Sequence, residues 1–241
     1  MNWLKYSSPQ TFYPLAGKLV PWFAASAAIL VAYGLYLGLL IAPTDFQQGD
    51  SYRIIFVHVP ASIMSMFLYV VMACYAALGI TLNARLSYAM ATSIAPTGAM
   101  FTFLALFTGA FWGKPTWGAW WVWDARITSE LILLFLYIGY MSLQAAIDDK
   151  RRSDRASAVL AIVGVINVPI IYYSVKWWNT LHQGSTINMT KSSTMAPIML
   201  KAMLIMMVAF WLYSIAVILT RTRREIESRE RSAAWLQDLR E

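Results

Sequence analysis

The 241-residue chain has one cysteine, two histidines and few charges, with Asp, Glu, Lys and Arg together making up 13% of it. With Cys74 alone no disulfide can form within the chain, and cysteine usage says nothing about redox compartment. Soluble domains carry about a quarter charged residues. The shortage of charge, with 59% hydrophobic residues and a mean hydropathy of +0.54, excludes an ordinary soluble domain. No G-x-x-x-x-G-K-[ST] segment is present, so nothing points to a nucleotide-hydrolysing phosphate cradle. No internal repeat or low-complexity stretch stands out, and residues 1–241 read as one membrane domain. No signal peptide is apparent: the first apolar run, from near Leu19, is long enough to span and lacks a small-residue cleavage site.

What is present is a series of apolar runs near the roughly 20 residues needed to cross a bilayer. They predict an all-α integral membrane protein with six transmembrane helices, at about 19–42, 57–82, 87–111, 128–147, 156–176 and 197–220. Pro60 and Pro197 fall in first turns, where a missing N–H matters little, whereas Pro96 and Pro169 lie deeper and predict kinks. Thirteen Lys and Arg residues fall on one side, among them Arg85, Lys150, Arg151, Arg152, Arg155, Arg221, Arg223, Arg224 and Arg229. Six fall on the other: Arg53, Lys114, Arg126, Lys176, Lys191 and Lys201. The richer side is expected to be cytoplasmic, with both termini there. The net charge of +7 is thus a topology signal, with no call for nucleic acid. The tail, about 221–241, reads as a short charged cytoplasmic helix and topological anchor.

That orientation puts "WGKPTWGAWWVWDARITSE", Trp112 to Glu130, in an external loop of about 112–128 between the third and fourth helices. Five tryptophans (Trp112, Trp117, Trp120, Trp121, Trp123) surround Asp124 and Arg126 there. Tryptophan is enriched at membrane interfaces, so the segment can be an anchor in the lipid headgroups. It can equally be a platform for a flat ligand, and helical spacing would align Trp117, Trp120 and Trp121 on one face. Both readings stay open on physical grounds. Asp124 and Arg126 can simply pair with each other, and Glu130 is most simply a charge at a helix N-terminus.

His58, in "IFVHVPAS", and His182, in "NTLHQGST", are the only histidines, and both fall on the outer face. A zinc site would need further ligands from Asp45, Asp50, Asp124 or Glu130, and no ligand spacing supports one. Heme iron needs only one or two axial ligands. Its ring can stack on a tryptophan wall, and its propionates can meet Arg53, Arg126, Lys114, Lys176 or Lys191.

At this point "WGAWWVWDARITS" resembles the tryptophan-rich "WWD" signature of heme-handling proteins of cytochrome c maturation. The length, six spans and one external histidine on each side of the motif resemble the CcmC, or heme exporter protein C, family over nearly the full chain. Larger relatives, CcmF and CcsA, carry more spans or histidines. The resemblance implies His58 and His182 as axial ligands of heme iron. It implies Trp117, Gly118, Trp120, Trp121, Trp123, Asp124 and Arg126 as the heme surface, with Arg53 a further propionate candidate. Ile127 stands where the family usually has Leu, a change between similar apolar residues. The resemblance further implies heme b as cargo, presented at the periplasmic face of the bacterial inner membrane and loaded onto the heme chaperone CcmE. The partners would be CcmD and the transporter pair CcmA and CcmB, within membrane lipid, and the chain itself would be no enzyme.

Two other classes compete. A permease subunit moving a small solute predicts ionisable residues at mid-bilayer depth. None falls near the centre of a predicted span, although Asn167 beside Pro169 adds some polarity. A bis-histidine electron carrier usually ligates heme within its spans, and here both histidines sit at the ends.

Overall fold

The computed structural model describes residues 3–178, 180–182 and 195–238. Among them lie six helical segments long and apolar enough to cross a membrane. The chain is an all-helical, multi-pass membrane protein. Helix α1 (Pro9–Leu35) runs on through a π turn (Tyr36–Ile41), and a 3-10 turn (Asp50–Ile54) leads into α2 (Ile55–Leu82). Then come α3 (Arg85–Trp117), α4 (Ala125–Ala146), α5 (Lys150–Gly164), α6 (Asn167–Trp177), α7 (Pro197–Arg229) and the short α8 (Ala234–Asp238).

Helices α2 and α3 form the centre, with α4 against α3 and α5, and α1 against α7. Between α2, α3 and α4 the side chains of Tyr69, Met72, Phe101, Leu133, Tyr137 and Tyr140 are fully buried. On α4 the buried positions Glu130, Leu133, Tyr137 and Tyr140 recur every three or four residues, which is one face of a 3.6-residue helix. Small residues allow close approach, as expected where lipid supplies no hydrophobic drive between helices. A Cβ on Gly98 would collide with the Tyr137 ring, so only glycine lets α4 seat that tyrosine against α3. A second cluster of Phe56, Met199, Met203 and Met206 ties α7 to the histidine-bearing end of α2.

Several boundaries differ from the sequence expectation, for the same reason: polar residues continue a helix once it leaves the bilayer. Helix α1 starts at Pro9 rather than near 19, with Ser8 as its cap. The basic "KRRSDR" is the first turns of α5, capped by the Asp149 carboxylate on Arg152 N (2.8 Å), and not a connecting loop. The last span continues to Arg229, so "RTRREIESR" is its end and not a separate tail helix. Pro60 is the sixth residue of α2, beyond its first turn, whereas Pro197 does open α7. The kink expected at Pro169 is a break between α5 and α6. There Val165 O, left free by the proline four residues on, accepts from Val168 N at 3.0 Å.

The arginine-rich end of the bundle is tied by charge. Arg229 donates to both oxygens of Asp154 (2.7 and 3.0 Å) and to Glu225 (2.6 Å), while Lys150 meets Glu225 at 3.4 Å and Gln144 Nε2 donates to Asp154 (3.2 Å). One network thus joins α4, α5 and α7.

Candidate functional site

The tryptophan segment is not one loop and not one helix face. Its first part completes α3, which continues through Pro115 to Trp117. Gly118 ends that helix at φ +78°, a left-handed conformation that glycine adopts without strain, and its N–H closes onto Lys114 O (3.1 Å). Residues 119–124 are an irregular link. Asp124 then starts α4, its Oδ1 accepting from Ile127 N at 2.8 Å. Asp124 is therefore a helix cap and forms no ion pair with Arg126.

His58 sits in the first turn of α2, facing α3, and is 8% exposed. Its Nδ1 lies 3.0 Å from Ala105 O and 3.1 Å from Thr108 Oγ1. A carbonyl can only accept, so Nδ1 carries the proton, and Nε2 keeps its lone pair. The hydroxyl of Thr108 is itself spent on Leu104 O (2.6 Å), leaving it as a second acceptor for the ring. The Trp112 ring packs edge-on against the imidazole at 5.6 Å, and its Nε1 donates to Gln48 Oε1 (2.8 Å). A Cβ on Gly109 would come within 3.1 Å of His58 Cε1, so the bare backbone there makes room for the ring. Ala105, Thr108, Gly109 and Trp112 share one face of α3 and hold His58 in one orientation.

The His182 ring centre lies 6.2 Å from that of His58, with the planes inclined at 49°. The Trp117 ring lies 5.2 Å from His182. Burial pushes the His182 imidazolium down from its ordinary 6.5 to about 3, and the Arg126 charge acts the same way. At neutral pH His182 is uncharged and can act as a ligand.

Between the rings and the start of α4 lies a narrow cavity of about 30 Å³. Its walls include His58, His182, Trp117, Trp120, Trp121, Ile127, Arg126 and Glu130. Its lining is mostly apolar, as in small-ligand sites, although its volume is well below theirs. Two buried polar atoms of its lining residues, Trp121 Nε1 and His182 Nδ1, have no hydrogen-bond partner among the described residues, and neither has Asp124 Oδ2 at the adjoining helix start. Buried polar atoms are nearly always paired, so the two orphans on the cavity lining are groups that a ligand there could satisfy.

The structure thus joins six of the residues singled out in the sequence (His58, His182, Trp117, Trp120, Trp121 and Arg126) at one cavity. Four others do not line it. Gly118 and Asp124 shape the two helix ends. Trp123 is 77% exposed and packs on Trp121. Arg53 is held by Asp50 (2.9 Å) and Gly38 O (2.7 Å). Lys191 lies outside the described residues. Glu130, expected to be only a helix-end charge, is instead buried at 6% exposure, and Ser65 Oγ donates to it across the bundle (2.7 Å). The missed signal was its spacing, four residues after Arg126 on one helix face.

Among the described residues no three His, Cys, Asp or Glu side chains come together, so the zinc alternative finds no site. Two imidazoles on opposite sides of one metal ion, each bonded at about 2 Å with its ring centre about 1 Å behind the nitrogen, would have ring centres about 6 Å apart. The 6.2 Å observed fits that arrangement. Indole walls suit a flat apolar ring, and Arg126, in no ion pair with any described residue, suits a carboxylate at its edge.

Fold and site together define a polytopic membrane protein with a tryptophan-walled, two-imidazole cavity at one end of its helix bundle. The model of the family CcmC, heme exporter protein C, matches residues 2–237. Heme exporter protein C of Escherichia coli (strain K12) is 45% identical over 231 residues, covering 96% of this chain and 93% of that protein. The Haemophilus influenzae protein of the same name is 42% identical over 239 residues (99% and 97%), and that of Bradyrhizobium diazoefficiens 44% over 238 (98% and 90%). The chain belongs to the heme exporter protein C family.

Proposed function

We propose that this chain binds heme b as cargo, with the iron between His58 and His182, and passes it to the chaperone CcmE for c-type cytochrome maturation. The observation that carries the reading is the pair of imidazoles with ring centres 6.2 Å apart in a cavity walled by Trp117, Trp120 and Trp121. Family membership supports heme as the cargo and heme export as the process. The bias of thirteen Lys and Arg residues against six supports an inner-membrane orientation with both termini cytoplasmic and the cavity periplasmic. The whole chain then acts as one membrane domain, with CcmD, CcmA and CcmB as partners in the membrane. It performs no bond-making step, so it is a transfer protein and not an enzyme.

In this role each residue has a definite task. Ala105 O and Thr108 fix the His58 ring so that Nε2 faces the cargo, and burial keeps His182 neutral. Two axial nitrogens saturate the iron and keep oxygen and stray ligands away. Arg126 holds a propionate. Trp120, half-exposed at the cavity mouth, and Trp123 beyond it keep one ring edge within reach of an acceptor protein.

The test is the absorption spectrum of the purified protein beside His58→Ala and His182→Ala. The expected outcome is a bis-imidazole Soret and α-band pattern in wild type, and at least a tenfold drop in retained heme in each variant, about 1.4 kcal/mol or more. Full heme retention in both variants overturns the assignment.

A further inference from the structure

The arginine-rich end of the bundle holds a second cavity, of about 660 Å³, where α3 and α5 begin and α7 ends. That volume falls within the range of small-ligand sites, about 300–1,000 Å³. Arg85 reaches it from α3, Lys150, Arg151 and Arg155 from the first turns of α5, and Arg229 from the end of α7. Two carboxylates, Asp154 and Glu230, share the lining with these five cations.

The carboxylates do not neutralise the set. Asp154 is taken up by Arg229, which donates to both of its oxygens. Glu230 accepts from Trp235 Nε1 at 3.0 Å, and its other oxygen stands 4.0 Å from Arg85, beyond hydrogen-bond reach. Lys150 turns to Glu225, outside the lining, at 3.4 Å. Arg151 and Arg155 are in no ion pair among the described residues. Arg155 shares a hydrogen bond with Tyr88, a neutral group that leaves the guanidinium charge uncompensated.

These cations do not serve the helix that carries them. Arg151 and Arg155 are four residues apart on α5, neighbours on one face, where like charges repel. They also stand near the helix N-terminus, whose partial charge is positive. The bias of basic residues toward one side of a membrane explains cations at this end, but not why those of three helices converge on one cavity. An anion seated there relieves both repulsions.

The surroundings say which anion. Tyr88, Ala89 and Ile226 give the cavity a buried apolar floor. Asn83, in its wall, directly follows Leu82 at the end of α2, and Leu82 is 70% exposed, so lipid-facing apolar surface reaches the cavity rim. A phospholipid has this polarity, with a phosphate for guanidinium N–H groups and acyl chains that need an apolar exit. Basic pockets between spans suit anionic headgroups in this way. We infer that the cavity binds the phosphate of an anionic phospholipid, with Arg85, Arg151 and Arg155 as its ligands and the acyl chains leaving past Leu82, whatever the histidine end carries.

The experiment is native mass spectrometry of the full-length protein in detergent, with palmitoyl-oleoyl phosphatidylglycerol or phosphatidylcholine added at graded concentrations. Wild type is compared with Arg151→Gln/Arg155→Gln and with Arg221→Gln/Arg224→Gln. The second pair removes two exposed arginines of the same end that do not line this cavity. Wild type is expected to bind phosphatidylglycerol in preference to phosphatidylcholine. Arg151→Gln/Arg155→Gln is expected to weaken phosphatidylglycerol binding about thirtyfold and leave phosphatidylcholine unchanged, while Arg221→Gln/Arg224→Gln stays near wild type. Equal weakening in both double variants overturns the inference, because the attraction then belongs to the whole basic end. Two further readings need no variant. Equal binding of the two lipids by wild type contradicts a charge-selective site. Inorganic phosphate in excess is expected to leave phosphatidylglycerol bound, and its displacement would make free phosphate the occupant and overturn the lipid assignment.

Discussion

Two arginines at opposite ends of the bundle are treated in opposite ways. Arg229, whose side chain is 14% exposed, has both nitrogen faces occupied, with a two-point contact to Asp154 and another to Glu225. Arg126 lines a cavity and has no ion pair with any described residue. Around Arg229 charge is matched within the chain and binds helices α4, α5 and α7 to one another. At the histidine end the Arg126 cation has no ion pair, and the Trp121 indole N–H and His182 Nδ1 have no hydrogen-bond partner, among the described residues. The first arrangement holds a fold, and the second is prepared for a partner from outside.

The contrast predicts that stability and heme binding separate cleanly. Arg229→Gln leaves the Asp154 carboxylate, 8% exposed, without its partner, and removing one member of a buried pair costs about 3–5 kcal/mol. Thermal unfolding in detergent is expected to show that loss, while the heme spectrum of the folded fraction stays as in wild type. A changed spectrum would mean that the two ends are coupled and that the comparison is wrong. Arg126→Gln is the converse. It removes a cation that is in no ion pair among the described residues, so the melting temperature is expected to stay close to wild type. Losing a charged hydrogen bond to a propionate is worth about 1.5–3 kcal/mol, so heme affinity is expected to fall by about tenfold or more. A heme titration followed at the Soret band checks this, and an unchanged affinity would move the propionate to another cation.

The same contrast explains what could be read from the sequence. Spans were legible because bilayer crossing imposes a length and an apolar composition on each run, and all six are present. Their ends were not, because nothing in composition says where a helix stops once polar residues reach water. The two histidines were legible as a pair by scarcity. What positions His58 was not: Ala105 acts through its backbone carbonyl, and Gly109 through the absence of a side chain. Helical spacing brought Trp117, Trp120 and Trp121 together for the wrong reason. A glycine with positive φ and a chain reversal converge them on the cavity instead. Glu130 and the Asp154–Arg229 pair were hidden because a charge near a span's end reads as solvated until a neighbouring helix covers it.

The finest test of the histidine end concerns Asp124, which has one oxygen in each role. Its Oδ1 caps α4 through Ile127 N (2.8 Å), while Oδ2 is buried and without a hydrogen-bond partner among the described residues. Asp124→Ala removes the cap and is expected to cost about 1 kcal/mol. It also loosens the turn that carries Arg126, so heme retention is expected to fall a few-fold. Asp124→Asn keeps a capping oxygen of equal quality but replaces the free oxygen and its charge. Stability is expected to return to wild type in Asp124→Asn, and heme titration then divides the two roles. Restored affinity would make Asp124 a support for Arg126 alone. Affinity still lowered, with the helix capped, would mean that the orphaned oxygen itself meets the cargo.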